Sequence, residues 1–278
     1  MSVEQTTRSH PPAAQPAVRW SSLRGRQPAL TLSLKWGLFA GFCVLIVASF
    51  LSPSPMSGAA ALTANLPDSP NAHEVYRILY YHVPQAFGAT IAFVTAMFYA
   101  VRYLMRNEPD YDFKSMRANE LGLVFAVLAI ITGSIFSKFT WGFWWDWAEV
   151  RMTSVFVLAL MYGGYFALRS SIPDHEKRAR LSAVMSLLFG LAALFLIFVV
   201  PRVAASRHPN ETVAAEGGMS NAVRLVFWPM VICFVGIFFW IWGQLVRLSR
   251  LEYARDAVDH TRPGVTPTIE DGGAANRS

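Results

Sequence analysis

Trp141-Gly142-Phe143-Trp144-Trp145-Asp146-Trp147-Ala148-Glu149-Val150-Arg151 sets four tryptophans and a phenylalanine within seven residues, with carboxylates and an arginine close by. Each aromatic side chain offers about 150–250 Å² of surface, so four indoles make a face of roughly 600–1,000 Å². That exceeds the few hundred square ångströms of an ordinary exposed apolar patch, and it has to meet lipid, a partner protein or a flat apolar ligand. Asp146, Glu149 and Arg151 keep the stretch out of the hydrocarbon. Each costs about 2.5–3.5 kcal/mol at the centre of a membrane helix, so the three oppose insertion by roughly 8–10 kcal/mol. The stretch therefore belongs at a membrane surface. Trp141, Trp144 and Trp145 are three and four residues apart, a spacing that a helix brings to one face. An aromatic belt that only anchors a fold at the interface has the same composition, and the stretch alone does not separate the two.

Outward from it lie six charge-free runs: Trp36–Ser52, Val83–Val101, Leu121–Ser137, Met152–Leu168, Leu181–Pro201 and Leu225–Val246. Each approaches the ~20 residues that a helix needs to cross the hydrocarbon. The composition agrees, since the 278 residues are 54 % hydrophobic and 15 % charged, which excludes wholesale disorder and points to a membrane protein. The expected fold is an all-α integral membrane protein with six transmembrane helices. Glycines at 88, 133, 163, 164 and 190 suit close helix approach. Residues 1–34 read as a mobile basic tail, 35–250 as the membrane domain and 251–278 as a polar tail, disordered from Asp256. The first apolar segment starts too late and runs too long for a cleaved signal peptide.

Net charge is +6, yet the basic residues fall between apolar runs rather than on one stripe, so topology explains them better than nucleic acid does. With six spans both termini share a side. That side carries eighteen of the 24 lysines and arginines, the opposite side six, and the positive-inside rule makes it the cytoplasm. Residues 53–82, the tryptophan stretch at 138–151 and residues 202–224 then lie outside. Cys43 and Cys233 each sit in an apolar run with no C-x-x-C pattern, as buried structural thiols do. There is no internal repeat and no phosphate loop, so the chain does not hydrolyse nucleotide by that route.

Two outer segments carry histidines beside prolines. His82 precedes Val83-Pro84 at the mouth of the second run, which predicts a turn just ahead of the helix, with Val83 extended. His208 precedes Pro209 and is restricted in the same way. A single interfacial histidine is usually a polar tip among headgroups. Two on one face beside an indole-rich surface suit an iron porphyrin, which needs axial donors and a dry shell. Trp141, Trp144, Trp145 and Trp147 would form its platform. Arg77 and Arg151 are candidates for the propionates, with headgroup phosphate as the rival partner. His73 is a rival histidine in a loop of Pro67, Asp68, Ser69, Pro70 and Asn71. His10 and His260 lie in the tails and His175 among cytoplasmic charges, while Asn210-Glu211-Thr212 is a weak glycosylation match.

Tyr76-Arg77-Ile78-Leu79-Tyr80-Tyr81-His82-Val83-Pro84, Thr132-Gly133-Ser134, the Trp141–Ser154 stretch and His208-Pro209 together resemble the haem exporter protein C (CcmC) family, over roughly residues 35–250. Members are six-span, tryptophan-rich "WWD" proteins of bacterial cytochrome c maturation. The resemblance implies transferable, non-covalent haem b on the periplasmic face of the inner membrane, between His82 and His208 and over the tryptophan segment. It implies delivery to a haem chaperone (CcmE-type), with an ABC transporter (CcmA and CcmB type) and a small membrane subunit (CcmD-type). It implies a handling protein, not an enzyme. The family pattern has Trp-Asp where this chain has Trp147-Ala148-Glu149, with Asp146 before it and Arg151 displaced by one residue. The acidic role falls to Asp146 or Glu149, through partner or propionate contacts. Two other classes compete. A b-type electron-transfer cytochrome would place histidines inside the spans, which lack them here. A transporter of another substrate would show a polar or broken-helix midplane site.

Overall fold

The structure, a computed structural model, describes residues 29–52, 72–204, 206–207 and 219–261. Six helices are long and apolar enough to cross a membrane. They are α1 (Ala29–Leu51), α2 (Leu79–Arg106), α3 (Pro109–Trp141), α4 (Val150–Ser171), α5 (His175–Leu194) and α6 (Asn221–Thr261). A short helix at Ala72–Val75 and a 3-10 turn at Tyr76–Ile78 lead into α2. No strand occurs among the described residues, and the protein is an all-α integral membrane protein. Residues 27–249 form one compact unit. A second comprises residues 1–26 and 250–278, of which 250–261 are described, as helix.

The helices outrun the apolar runs. Helix α1 starts at Ala29, inside the expected tail, and α6 continues to Thr261, so residues 256–261, expected to be disordered, are helical. Hydropathy marks where hydrocarbon ends, not where helical hydrogen bonding ends, and the Arg, Leu, Glu and Ala that follow the last run are good helix formers. Residues 1–28, 53–71 and 262–278 lie outside the described set.

The ends are set by local chemistry. Asn107, left-handed at φ 52°, closes α2 with its N–H on Tyr103 O, and Pro109 opens α3 two residues later. Asp174 caps α5 by accepting the Lys177 N–H at 2.8 Å, which holds its carboxyl below the usual carboxylate range. Near the end of the fifth span the ladder widens to a π turn at Phe195–Val199. Pro201 lies just beyond, and a proline ring clashes with the carbonyl four residues back while offering it no N–H. The helix stays continuous through this turn as far as Val203.

In the core, Ala89, Ala92, Phe93 and Ala96 line one face of α2, and Phe93 stacks on Tyr162 of α4 at 4.1 Å. Small residues let the backbones close up. A Cβ on Gly122 would fall 2.4 Å from the Phe93 ring, and one on Gly190 would fall 2.2 Å from Met97 Cγ. Gly88 and Gly133 also meet side chains, at 3.4 and 3.1 Å. Gly163 and Gly164 face open space instead, contrary to the expectation of close approach there. Cys233 is buried as expected, but Cys43 is exposed on α1.

A buried polar cluster went unseen in the sequence. Asp112 accepts two bonds from Arg169, at 2.8 and 2.6 Å, and both side chains are about nine-tenths buried. Asn119 donates to Ser186 at 3.0 Å, while Ser115 donates to Ala96 O at 3.0 Å. Arg169 had looked like one more cytoplasmic loop cation. Its fork instead joins α4 to α3, and charge-free runs do not reveal it because both partners lie outside the runs, Asp112 nine residues ahead of Leu121.

Candidate functional site

The segment entering α2 is tied to the end of α1. Arg77 donates through Nη1 to Ser49 O at 2.7 Å and to Ser52 O at 2.6 Å, and it pairs with Glu74. Carbonyls at the end of a helix outrun its own N–H donors, so a guanidinium suits them. Tyr81 and Tyr80 extend the seam, with hydroxyls 2.6 Å from Ser49 Oγ and 2.9 Å from Ser52 Oγ. Tyr80 is fully buried against Met219, Val223 and Phe227 of the α6 entry.

This packing overrides the local preference at His82. His82 and Val83 are helical, within the first turns of α2, and Pro84 lies inside the helix rather than opening it. The extended geometry expected before a proline loses to the burial of Tyr80 and Pro84 on one helical face. The second span therefore does contain a histidine. Its Nδ1 lies 2.9 Å from Thr132 Oγ1 on α3, and its Cε1 edge faces Gly133.

Helix α3 also carries the tryptophan segment. Nine residues beyond Thr132 it ends at Trp141, closed by Gly142 at φ 88° with its N–H on Lys138 O. A side chain at that φ is strained, so glycine makes the turn possible. Residues 143–149 are not helical. Trp141, Trp144 and Trp145 therefore do not share a helix face, contrary to the expectation from their spacing. Trp141 packs on Phe136 and Phe143, and Trp145 packs on Phe156 of α4. Trp144 and Trp147 are 57 % and 65 % exposed.

The two candidate carboxylates differ sharply. Asp146 accepts the Ala148 N–H at 2.9 Å and stands 3.7 Å from the Arg207 guanidinium. Glu149 is only 2 % exposed. It caps α4 through the Arg151 N–H at 3.3 Å, and it accepts Ser206 Oγ–H at 2.6 Å and the Arg207 N–H at 2.8 Å. Glu149 thus pins the chain after the fifth span to the tryptophan loop. Arg151 turns inward, with Nε buried. Arg207, counted in the sequence only as an outer cation, has its guanidinium over the Phe143 ring at 5.3 Å and its side chain 60 % exposed.

His82, the tryptophans, Arg77, Arg151, Asp146 and Glu149 gather at one end of the helices. His208, its Pro209, the Asn210 sequon, His10 and the His73 and His260 side chains lie outside the described residues. Thr132, Ser206 and Arg207 were missed as site residues. Thr132 had a signal, since it stands beside Gly133 in a stretch already singled out.

The sequence profile of the "Heme exporter protein C" family matches residues 34–262. Among curated proteins, the chain is 26 % identical over 210 residues to "Heme exporter protein C" of Paracoccus denitrificans, covering 73 % of this chain and 86 % of that one. The Bradyrhizobium diazoefficiens protein of that name is 32 % identical over 158 residues, 57 % of this chain and 59 % of its own length. The Haemophilus influenzae protein is 26 % identical over 197 residues, covering 68 % and 75 %.

Proposed function

Because the chain belongs to the haem exporter protein C family, we propose that it holds haem as transferable cargo in cytochrome c maturation and passes it to a haem chaperone. Haem b is the cargo, bound without a covalent link, with His82 and His208 as axial ligands. Trp144 and Trp147 form the open part of the platform, and Trp141 and Trp145 form its packed base. Arg207 joins Arg77 and Arg151 as a propionate candidate. Its side chain is 60 % exposed where Arg77 is 16 % exposed and already holds α1. The site faces the periplasm from the inner membrane. An ABC transporter and a small membrane subunit are the working partners, and the chain itself makes and breaks no covalent bond.

The observation that carries this reading is that α3 bears both the contact to His82 and the tryptophan segment. One helix thus carries the partner of the His82 imidazole and, nine residues on, opens into the tryptophan loop. The residues suit the cargo. Two exposed indoles offer flat apolar surface, and the buried Trp145 Nε1 has no acceptor among the described residues, as a donor awaiting a polar ligand group would. Haem brings the iron and its ligand-binding chemistry, while the chain supplies donors, walls and cations.

The test is the absorption spectrum of the full chain purified in detergent, before and after adding the haem chaperone. Low-spin bis-histidine bands are expected, lost or strongly weakened in His82→Ala and His208→Ala and unchanged in His73→Ala. Unaltered bands in both single variants would remove the ligand assignment. Haem that cycles between oxidation states but never leaves for the chaperone would favour an electron-transfer cytochrome.

A further inference from the structure

We propose that Thr132, backed by Gly133, is the positioning residue of His82, fixing the imidazole as the Nδ1–H tautomer so that Nε2 presents the lone pair. The inference rests on the haem reading above and adds a residue whose role that reading leaves open.

The proton count carries it. Thr132 Oγ1 has one hydrogen, and three of its neighbours are acceptors: Leu128 O at 2.8 Å, Ala129 O at 3.3 Å and Gln85 Oε1 at 3.3 Å. None of them can give a proton back. A hydroxyl that bonds backward to the carbonyl four residues earlier has its proton committed to the helix. The contact to His82 Nδ1 at 2.9 Å is then a hydrogen bond only if Nδ1–H donates to the threonine oxygen. A neutral imidazole protonated at Nδ1 is unprotonated at Nε2, and Nε2 is the nitrogen that an iron can take.

Packing supplies an independent constraint. A Cβ on Gly133 would come 3.1 Å from His82 Cε1, close enough that the ring would have to give by a few tenths of an ångström. The ring is thus held at its edge by Thr132 and along its side by a residue that has to stay small. Two consecutive positions on α3 form the seat. Ligand imidazoles elsewhere depend on such a partner, whose loss typically weakens metal affinity about 10–100-fold.

The experiment uses the full chain in detergent, histidine-labelled with nitrogen-15, with and without haem. In haem-free protein, imidazole nitrogen shifts should report His82 as Nδ1–H. Thr132→Val keeps the shape and removes the oxygen. It should shift the tautomer population and weaken haem binding about 10–100-fold, and Thr132→Ser should restore both. Gly133→Ala should weaken haem binding without changing the tautomer. Nε2–H in the parent, or an unchanged tautomer in Thr132→Val, would overturn the proposal. A shifted tautomer with unchanged haem affinity would overturn the role toward haem. A parent that binds no haem would sink the functional reading instead, and the haem-free spectra would still decide on the seat.

Discussion

The Glu149 carboxylate accepts the Arg207 backbone N–H at 2.8 Å, joining the start of α4 to a segment 58 residues further on. With Ser206 Oγ at 2.6 Å on the other oxygen, this buried acid is what relates the tryptophan loop to the chain that leads, one peptide bond later, into His208. Of the two acids, Glu149 thus ties the two segments together, while Asp146 accepts the Ala148 N–H within its own turn and stands 3.7 Å from the Arg207 guanidinium.

Glu149→Ala leaves the Arg207 N–H and the α4 cap without their acceptor. It should lower stability by about 1–3 kcal/mol. Asp146→Ala, which loses a local bond and a long ion pair, should change stability by about 1 kcal/mol or less. Thermal unfolding of both variants in detergent checks the ranking. Spin labels at the exposed positions 144 and 207 add a geometric readout, with a narrow distance distribution that broadens when Glu149 becomes Gln. Equal effects of the two carboxylates on unfolding would contradict the assignment.

Asp112 and Arg169 should behave as a unit. Removing either partner strands a buried charge and should cost about 3–5 kcal/mol. The double variant Asp112→Leu with Arg169→Met should recover most of that loss, because a well-packed apolar pair replaces a buried ion pair at little penalty. A double variant as unstable as the two single losses added together would show that the pair is not coupled.

Glycines on the helix faces divide into two groups. Gly122→Ala drives a methyl into the Phe93 ring and should destabilise by about 1–3 kcal/mol. Gly163→Ala meets nothing within 4 Å and should be neutral or stabilising by about 0.5–1 kcal/mol, since alanine is the better helix former. Comparing unfolding midpoints in one detergent decides between these signs.

Orientation can be checked without any ligand. Alkaline phosphatase fused within the tryptophan loop should be active, and fused after Arg106 or Ser171 it should be inactive, given the excess of basic residues on the latter side. Activity at all three positions, or at none, would refute the topology on which the periplasmic site depends.

Fold class was legible in the sequence because bilayer thickness imposes a length on every apolar run, and because each backbone polar group in hydrocarbon has to be satisfied within its own helix. The interfacial place of the tryptophan segment followed from the charges of Asp146, Glu149 and Arg151, and the candidate histidines from their chemistry. What the sequence could not reveal depends on partners remote along the chain. The spacing of Trp141, Trp144 and Trp145 suggests one helix face, but Gly142 ends the helix first. Pro84 suggests a helix start, but the burial of Tyr80 carries the helix through it. The sequence left Asp146 and Glu149 as equal alternatives, and only the fold brings Ser206 and Arg207 to Glu149. His82 was visible from the outset as a donor. Which of its nitrogens is presented is decided by a threonine 50 residues away, because a tautomer is a property of a contact and not of a residue.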